Sequence, residues 1–215
     1  MILPALTAIV DADVTAACGW TVPDAARAFL DGGARFLQVR AKRVPSRTFL
    51  GWCDAVVAAA EPYGAAVVVN DRADIARMAG GAGVHVGQDD LPASAARALL
   101  GASAIVGLST HTREQVTAAR TEPITYLAVG PVFGSRTKDT GYDAVGLDLV
   151  QFAGAAADPA MPVVAIGGIT LERAPQVLAA GAASVAVIGD LFATGDPEAR
   201  TRQFLARLGE VAPNI

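Results

Sequence analysis

A chain of 215 residues with 53% hydrophobic and 18% charged side chains is long enough for one large core or two small ones and too apolar to remain disordered. The net charge of −4 and the lack of any recurring basic patch argue against nucleic acid as a partner. MILPALTAIVDAD at the start carries no basic region, and no apolar run approaches the ~20 residues of a membrane span, so the expectation is a soluble, cytoplasmic protein with neither signal peptide nor membrane contact.

Short apolar runs alternate with helical stretches from end to end. A run at 6–10 leads through a loop holding Cys18 to a helical stretch at 24–30. A run at 36–40 precedes a helix at 47–60 that contains Cys53, and a run at 66–70 precedes a helix at 73–79. Then come 83–86 with 94–100, 104–108 with 112–120, and 126–130 with 147–156. The last pairs are 163–167 with 171–180 and 185–188 with 197–208. Most of the runs are continuous and rich in Val and Ile, as in parallel strands covered on both faces.

About eight strand–helix units is the number a closed barrel needs. The expected fold is α/β, a single (β/α)8 TIM barrel with residues 1–215 as one domain. Loops such as DGGARFLQV, GGAGVHV, LGASAIVG and AAGAASVAV repeat the same device, in which glycine just past a helix turns the chain into the next strand. An open doubly wound sheet is the alternative, weakened by the lack of GxGxxG after the first strand. Cys18 and Cys53 show neither CxxC nor a metal-ligand spacing and read as free thiols of a reducing compartment. Nothing in the sequence bears on oligomeric state.

The unusual polar groups fall where strands end. Arg40 and Lys42 close FLQVRAK, Asn70 and Asp71 close AAVVVND, and Ser109 closes AIVGLS. Lys138 lies in the long irregular segment 133–145, and the only lysines of the chain are Lys42 and Lys138. In a barrel all strand ends of one kind open on one mouth, where active sites sit. Two readings of Arg40 and Lys42 stay open: cations awaiting a phosphate or diphosphate, or rim side chains each with its own carboxylate. Asp71 and Asp90 are either a pair holding Mg²⁺ or two helix caps. The glycines of AIGGIT, with the expected helix start behind them, either approach a phosphate or serve a packing turn. His85 reads as a packed, hydrogen-bonded strand residue and His111 as a residue near a helix start.

In combination these segments resemble a known family. QVRAK, VNDRAD, GVHVGQDDLP, GLSTHT, GPVFGSRTKDT, AIGGIT and SVAVIGD are similar, in order and over nearly the whole chain, to the thiamine-phosphate synthases. The resemblance implies an α/β-barrel transferase that joins a hydroxymethylpyrimidine diphosphate to a thiazole phosphate, or its carboxylated precursor, and releases diphosphate. It places the pyrimidine diphosphate on Gln38, Val39, Arg40, Ala41, Lys42, Asn70, Ser109 and Lys138, of which Arg40, Lys42, Ser109 and Lys138 are the expected catalytic groups. It places Mg²⁺ on Asp71 and Asp90, and the thiazole phosphate on Ser135, Arg136, Thr137, Gly168, Ile188 and Gly189. Gly189 stands where the family often has serine, which removes a hydroxyl contact to phosphate. The implied partners are two phosphorylated small molecules. Two other readings on the same scaffold are a thiazole tautomerase, with His111 moving a proton, and a non-catalytic sensor of a phosphorylated ligand.

Overall fold

The structure, a computed structural model, describes residues 2–134, 143–155 and 161–209. Eight strands, β1 (Leu6–Asp11), β2 (Phe36–Arg40), β3 (Ala66–Asn70), β4 (Gly83–Val86), β5 (Ile105–Thr110), β6 (Tyr126–Val129), β7 (Val163–Ile166) and β8 (Ser184–Val187), run parallel in chain order. β1 also pairs with β8, which closes the barrel. Around it lie α1 (Ala12–Ala17), α2 (Val22–Asp31), α3 (Ser46–Ala60), α4 (Ala73–Met78), α5 (Ala93–Leu100), α6 (Arg113–Ala119), α7 (Gly146–Ala155), α8 (Ala174–Ala179) and α9 (Pro197–Gly209). Among the described residues no helix is long and apolar enough to cross a membrane.

Alternation along each strand makes two cores. Leu37 and Val39 of β2 face outward into the layer shared with the helices, along with Val67, Val69, Val84 and Val106. Residues of opposite parity fill the barrel: Ile9, Phe36, Val68, Ile105, Tyr126, Val164 and Ala186. Phe36 and Tyr126 meet edge to face at 5.8 Å, a favoured aromatic geometry. At the seam between first and last strands the buried hydroxyls of Thr7 and Ser184 are hydrogen-bonded at 2.9 Å. Towards the carboxyl ends of the strands the inward positions turn polar: Gln38, Asn70, His85 and Ser109 are all buried there. The apolar layers thus form a floor and the polar ones a mouth.

The expected boundaries of β2, β3 and β4 hold. β1 and β5 run further, bringing Asp11 and Thr110 into the sheet. α1 is absent from the sequence reading. Its six residues, ADVTAA, bury only Ala12 and Thr15, so they carry no apolar stripe, and the Asp11 carboxylate starts the helix by accepting from Val14 N–H at 3.1 Å. α8 begins at Ala174, three residues later than expected, because Asp190 takes the Leu171 N–H at 3.1 Å and holds 171–173 in turns. The helix start expected behind the AIGGIT glycines is therefore displaced from them.

Candidate active site at the barrel mouth

Arg40 ends β2 opposite Asp11, its register partner on β1, and the two side chains form a buried ion pair. Lys42, two residues past the strand, bonds the Asp71 carboxylate instead. Each cation thus has a carboxylate beside it in the ligand-free barrel. The buried pair leaves donors unmet. Arg40 keeps a buried Nε without a partner, and close by the Nδ2 of buried Asn70 also has none. Buried donors of this kind are rare unless something else satisfies them.

Asp71 has φ +62°, alone among the described non-glycine residues in the left-handed region. Aspartate tolerates that conformation better than most side chains. Its N–H donates to His85 O at 2.8 Å, which ties the turn after β3 to β4. Neither aspartate caps a helix: the N-caps of α4 and α5 are Arg72 and Pro92, without side-chain bonds. Asp90 accepts instead from Gly87 N–H at 2.8 Å. Burial pushes the Asp71 carboxyl above its ordinary value, the Lys42 ammonium pulls it down, and the neighbouring Asp90 carboxyl adds to the rise. Two adjacent carboxylates, with water and phosphate oxygens to complete the shell, are the donor set of Mg²⁺, so these residues fit the ion. No group of three or more acidic, histidine or cysteine side chains forms a metal cluster among the described residues.

A chain of hydrogen bonds crosses the floor of the mouth. The phenol of Tyr126 meets His85 Nδ1 at 2.9 Å, His85 Nε2 meets Ser109 Oγ at 2.8 Å, and Gln38 lines the same small cavity. Burial pushes the Tyr126 phenol well up, only partly offset by Gln38, so it stays protonated. Gly107 lies under this chain: a Cβ there would come within 2.2 Å of Tyr126 Cζ and 2.6 Å of His85 Nδ1. Gln88 donates to Ser109 O at 2.6 Å and fixes its backbone. Above the floor, Gln38, Arg40, Asn70, His85 and Ser109 line a cavity of about 20 Å³.

A larger cavity, about 640 Å³, opens over β5 to β8. One wall is the turn after β7. Gly167 and Gly168 have φ +106° and +63°, and a Cβ on Gly168 would meet Gly134 O at 2.5 Å, so the turn needs glycine. Ile188 and Gly189 continue the wall, and His111, its Nδ1 at 2.5 Å from Gly130 O, stands opposite. Asp190 also lines the cavity and is held by Arg200 at 2.7 Å. Arg173 donates to Gly168 O at 3.0 Å, with its guanidinium carbon 4.7 Å from the centre of the Phe133 ring.

The expected site residues therefore fall into three connected groups. Gln38, Arg40, Asn70 and Ser109 meet at the small cavity. Gly168, Ile188 and Gly189 line the large one, while Ser109 and Ile188 belong to both. Lys42, Asp71 and Asp90 form the rim. Val39 and Ala41 pack outward with the helix-facing core, leaving only their backbone for a ligand. Ser135, Arg136, Thr137 and Lys138 lie outside the described residues. The sequence reading missed Asp11, Tyr126, Arg173 and Asp190. Asp11 ends a strand, as the recognised residues do; Arg200 of α9, which holds Asp190, carries no local signal at all.

The family model for thiamine monophosphate synthase matches residues 6–191. A putative thiamine-phosphate synthase of Geobacter sulfurreducens is 40% identical over 179 residues, covering 83% of this chain and 83% of the relative. A thiamine biosynthesis bifunctional protein of Symbiobacterium thermophilum is 43% identical over 187 residues; the match covers 87% of this chain but 38% of that longer protein. Among solved structures, a thiamine phosphate pyrophosphorylase from Pyrococcus furiosus superposes with a TM-score of 0.86 at 28% identity, covering 96% of both chains.

Proposed function

Since the chain belongs to the thiamine monophosphate synthase family, we propose that its barrel mouth couples a pyrimidine methyl diphosphate to a thiazole phosphate, giving thiamine phosphate and diphosphate. The observation that carries this reading is the pair of unpartnered buried donors, Arg40 Nε and Asn70 Nδ2, beside the Lys42–Asp71–Asp90 rim. An anionic ligand with several oxygens satisfies such donors, and the 640 Å³ cavity next to it has room for a second substrate.

The bond between the pyrimidine methylene carbon and the diphosphate oxygen breaks, and the electron pair leaves with diphosphate. The thiazole nitrogen is already nucleophilic and donates its pair to the same carbon, so no strong base is required. Arg40, Lys42 and Lys138 neutralise the departing charge. Gln38, Asn70 and Ser109 hydrogen-bond the pyrimidine diphosphate, together with the backbone of Val39 and Ala41. Ser135, Arg136, Thr137, Gly168, Ile188 and Gly189 receive the thiazole phosphate, and the two partners are held side by side. Asp71 and Asp90 hold Mg²⁺, which when bound supplies positive charge to the diphosphate oxygens.

The test is a coupling assay with both phosphorylated substrates, Mg²⁺ present or withheld. Thiamine phosphate formed in step with diphosphate, and only with the metal, is the expected result; no product under any condition removes the reading. A thiazole tautomerase is the second reading, favoured by His111 on the large cavity. Isomerised thiazole without diphosphate release identifies it. Residues 1–215 as one catalytic domain are part of the same proposal.

A further inference from the structure

Positive side chains around the described part of the mouth are mostly spent. Arg40 is paired with Asp11, Lys42 with Asp71, and Arg200 with Asp190. Arg173 is different. It lines the large cavity yet joins no carboxylate of the described residues in an ion pair. The one other formally charged lining side chain, Asp190, is already neutralised by Arg200. Among the described lining residues, the cavity end walled by Gly167, Gly168 and Gly189 therefore holds one cation without a paired carboxylate, Arg173, while the exposed Glu172 carboxylate beside it stays outside the lining.

Although exposed, its side chain is oriented by two contacts that leave most of its binding capacity unused. One Nη1 hydrogen goes to Gly168 O at 3.0 Å, and the flat face of the guanidinium lies over Phe133 at 4.7 Å. A guanidinium has five N–H donors in a fixed fork, so most of the fork remains for an acceptor. The same bond pins the Gly167–Gly168 turn, where no side chain stands between backbone and ligand. A planar, pre-positioned cation beside bare backbone matches a phosphate ester.

We propose that Arg173 is the residue that selects a phosphorylated thiazole over the corresponding free alcohol, by taking the charge of the phosphate ester at the glycine wall. The inference rests on the coupling activity proposed above and names the substrate feature that its second subsite recognises.

The experiment compares wild type with Arg173→Gln and Arg173→Lys. Thiazole phosphate or thiazole alcohol is varied at saturating pyrimidine diphosphate, and binding of each thiazole is measured by calorimetry without the pyrimidine. Arg173→Gln is expected to raise KM and Kd for thiazole phosphate about 10- to 100-fold, the scale of a lost charge-assisted contact. The values for the alcohol and KM for the pyrimidine diphosphate stay within about twofold, as does kcat, because the phosphate is remote from the reacting bond. Arg173→Lys recovers part of the loss and carries the test if the Gln variant fails to fold. Equal weakening of both thiazoles means that Arg173 only shapes the glycine turn and overturns the proposal, as does wild-type protein that binds phosphate and alcohol alike. Wild-type protein that binds thiazole phosphate in an Arg173-dependent way but never couples it sinks the coupling reading and leaves this one standing.

Discussion

Lys42 Nζ donates to Asp71 Oδ2, tying the end of β2 to the turn after β3. In the proposed reaction the two separate: the ammonium goes to diphosphate, the carboxylate to the metal. The pair therefore competes with both ligands, and whichever binds first lowers the cost for the other.

Lys42→Met should tighten Mg²⁺ binding to the ligand-free protein while weakening diphosphate. The lysine side chain is 43% exposed, so the gain for the metal is small, about two- to fivefold, in line with an exposed ion pair. Calorimetric titration with Mg²⁺ and, separately, with diphosphate checks the opposite signs. Weaker binding of both contradicts the competition.

Asp71→Asn fits the left-handed backbone as well as aspartate does, so its fold should survive. Its Mg²⁺ affinity should fall by at least about tenfold, since losing even an outer partner of a metal ligand costs that much. Direct binding of Mn²⁺ as a spectroscopic substitute measures this independently of turnover. An unchanged affinity removes Asp71 from the metal site.

Asp11→Ala leaves Arg40 as a buried charge without its counter-ion. Breaking such a pair costs about 3–5 kcal/mol, read as a lowered urea midpoint. Diphosphate with Mg²⁺ should restore part of the loss in the variant, because an anion at Arg40 stabilises the folded state by mass action. A midpoint that diphosphate does not move places the anion elsewhere.

Gly107→Ala drives a methyl into the Tyr126 ring and the His85 imidazole. Overpacking of this kind costs about 1–3 kcal/mol, and it also displaces the chain that orients Ser109. Stability and kcat should fall together. Tyr126→Phe, which keeps the ring and removes the hydroxyl, should lower kcat with a much smaller change in midpoint, and in a Ser109→Ala background it should have no further effect on rate.

Cys53 is buried in α3, and burial, then the charge of Asp54, raise its thiol from an ordinary 9.0 to about 12. Between those values the folded protein holds a proton that the unfolded chain has lost. This contribution therefore reduces stability as pH rises from about 9 to about 12. Below that range a thiol reagent should label exposed Cys18 alone, and both cysteines only after unfolding. Rapid labelling of both in native protein contradicts the burial.

The eight strands are legible in the sequence because each is a short Val/Ile-rich run, and parallel strands covered on both faces need little else. The polar residues that end them are legible for the same reason: a barrel sends every strand end to one mouth. Pairing is not legible. Nothing local joins Lys42 to Asp71 or Arg40 to Asp11, 29 residues apart in each case; strand register makes those bonds. Arg173 escapes notice because it sits in a turn that reads as ordinary helix, and its importance comes from what its neighbours lack.

The seam between β1 and β8, fastened by Thr7 and Ser184, has a consequence for synthesis. Leu6 leaves the ribosome long before its partner Val185 exists, so the nascent chain carries a naked strand border throughout elongation. The mouth acquires its final outline only when the last strand docks, and the cell must shield that border from sticking to other chains until then.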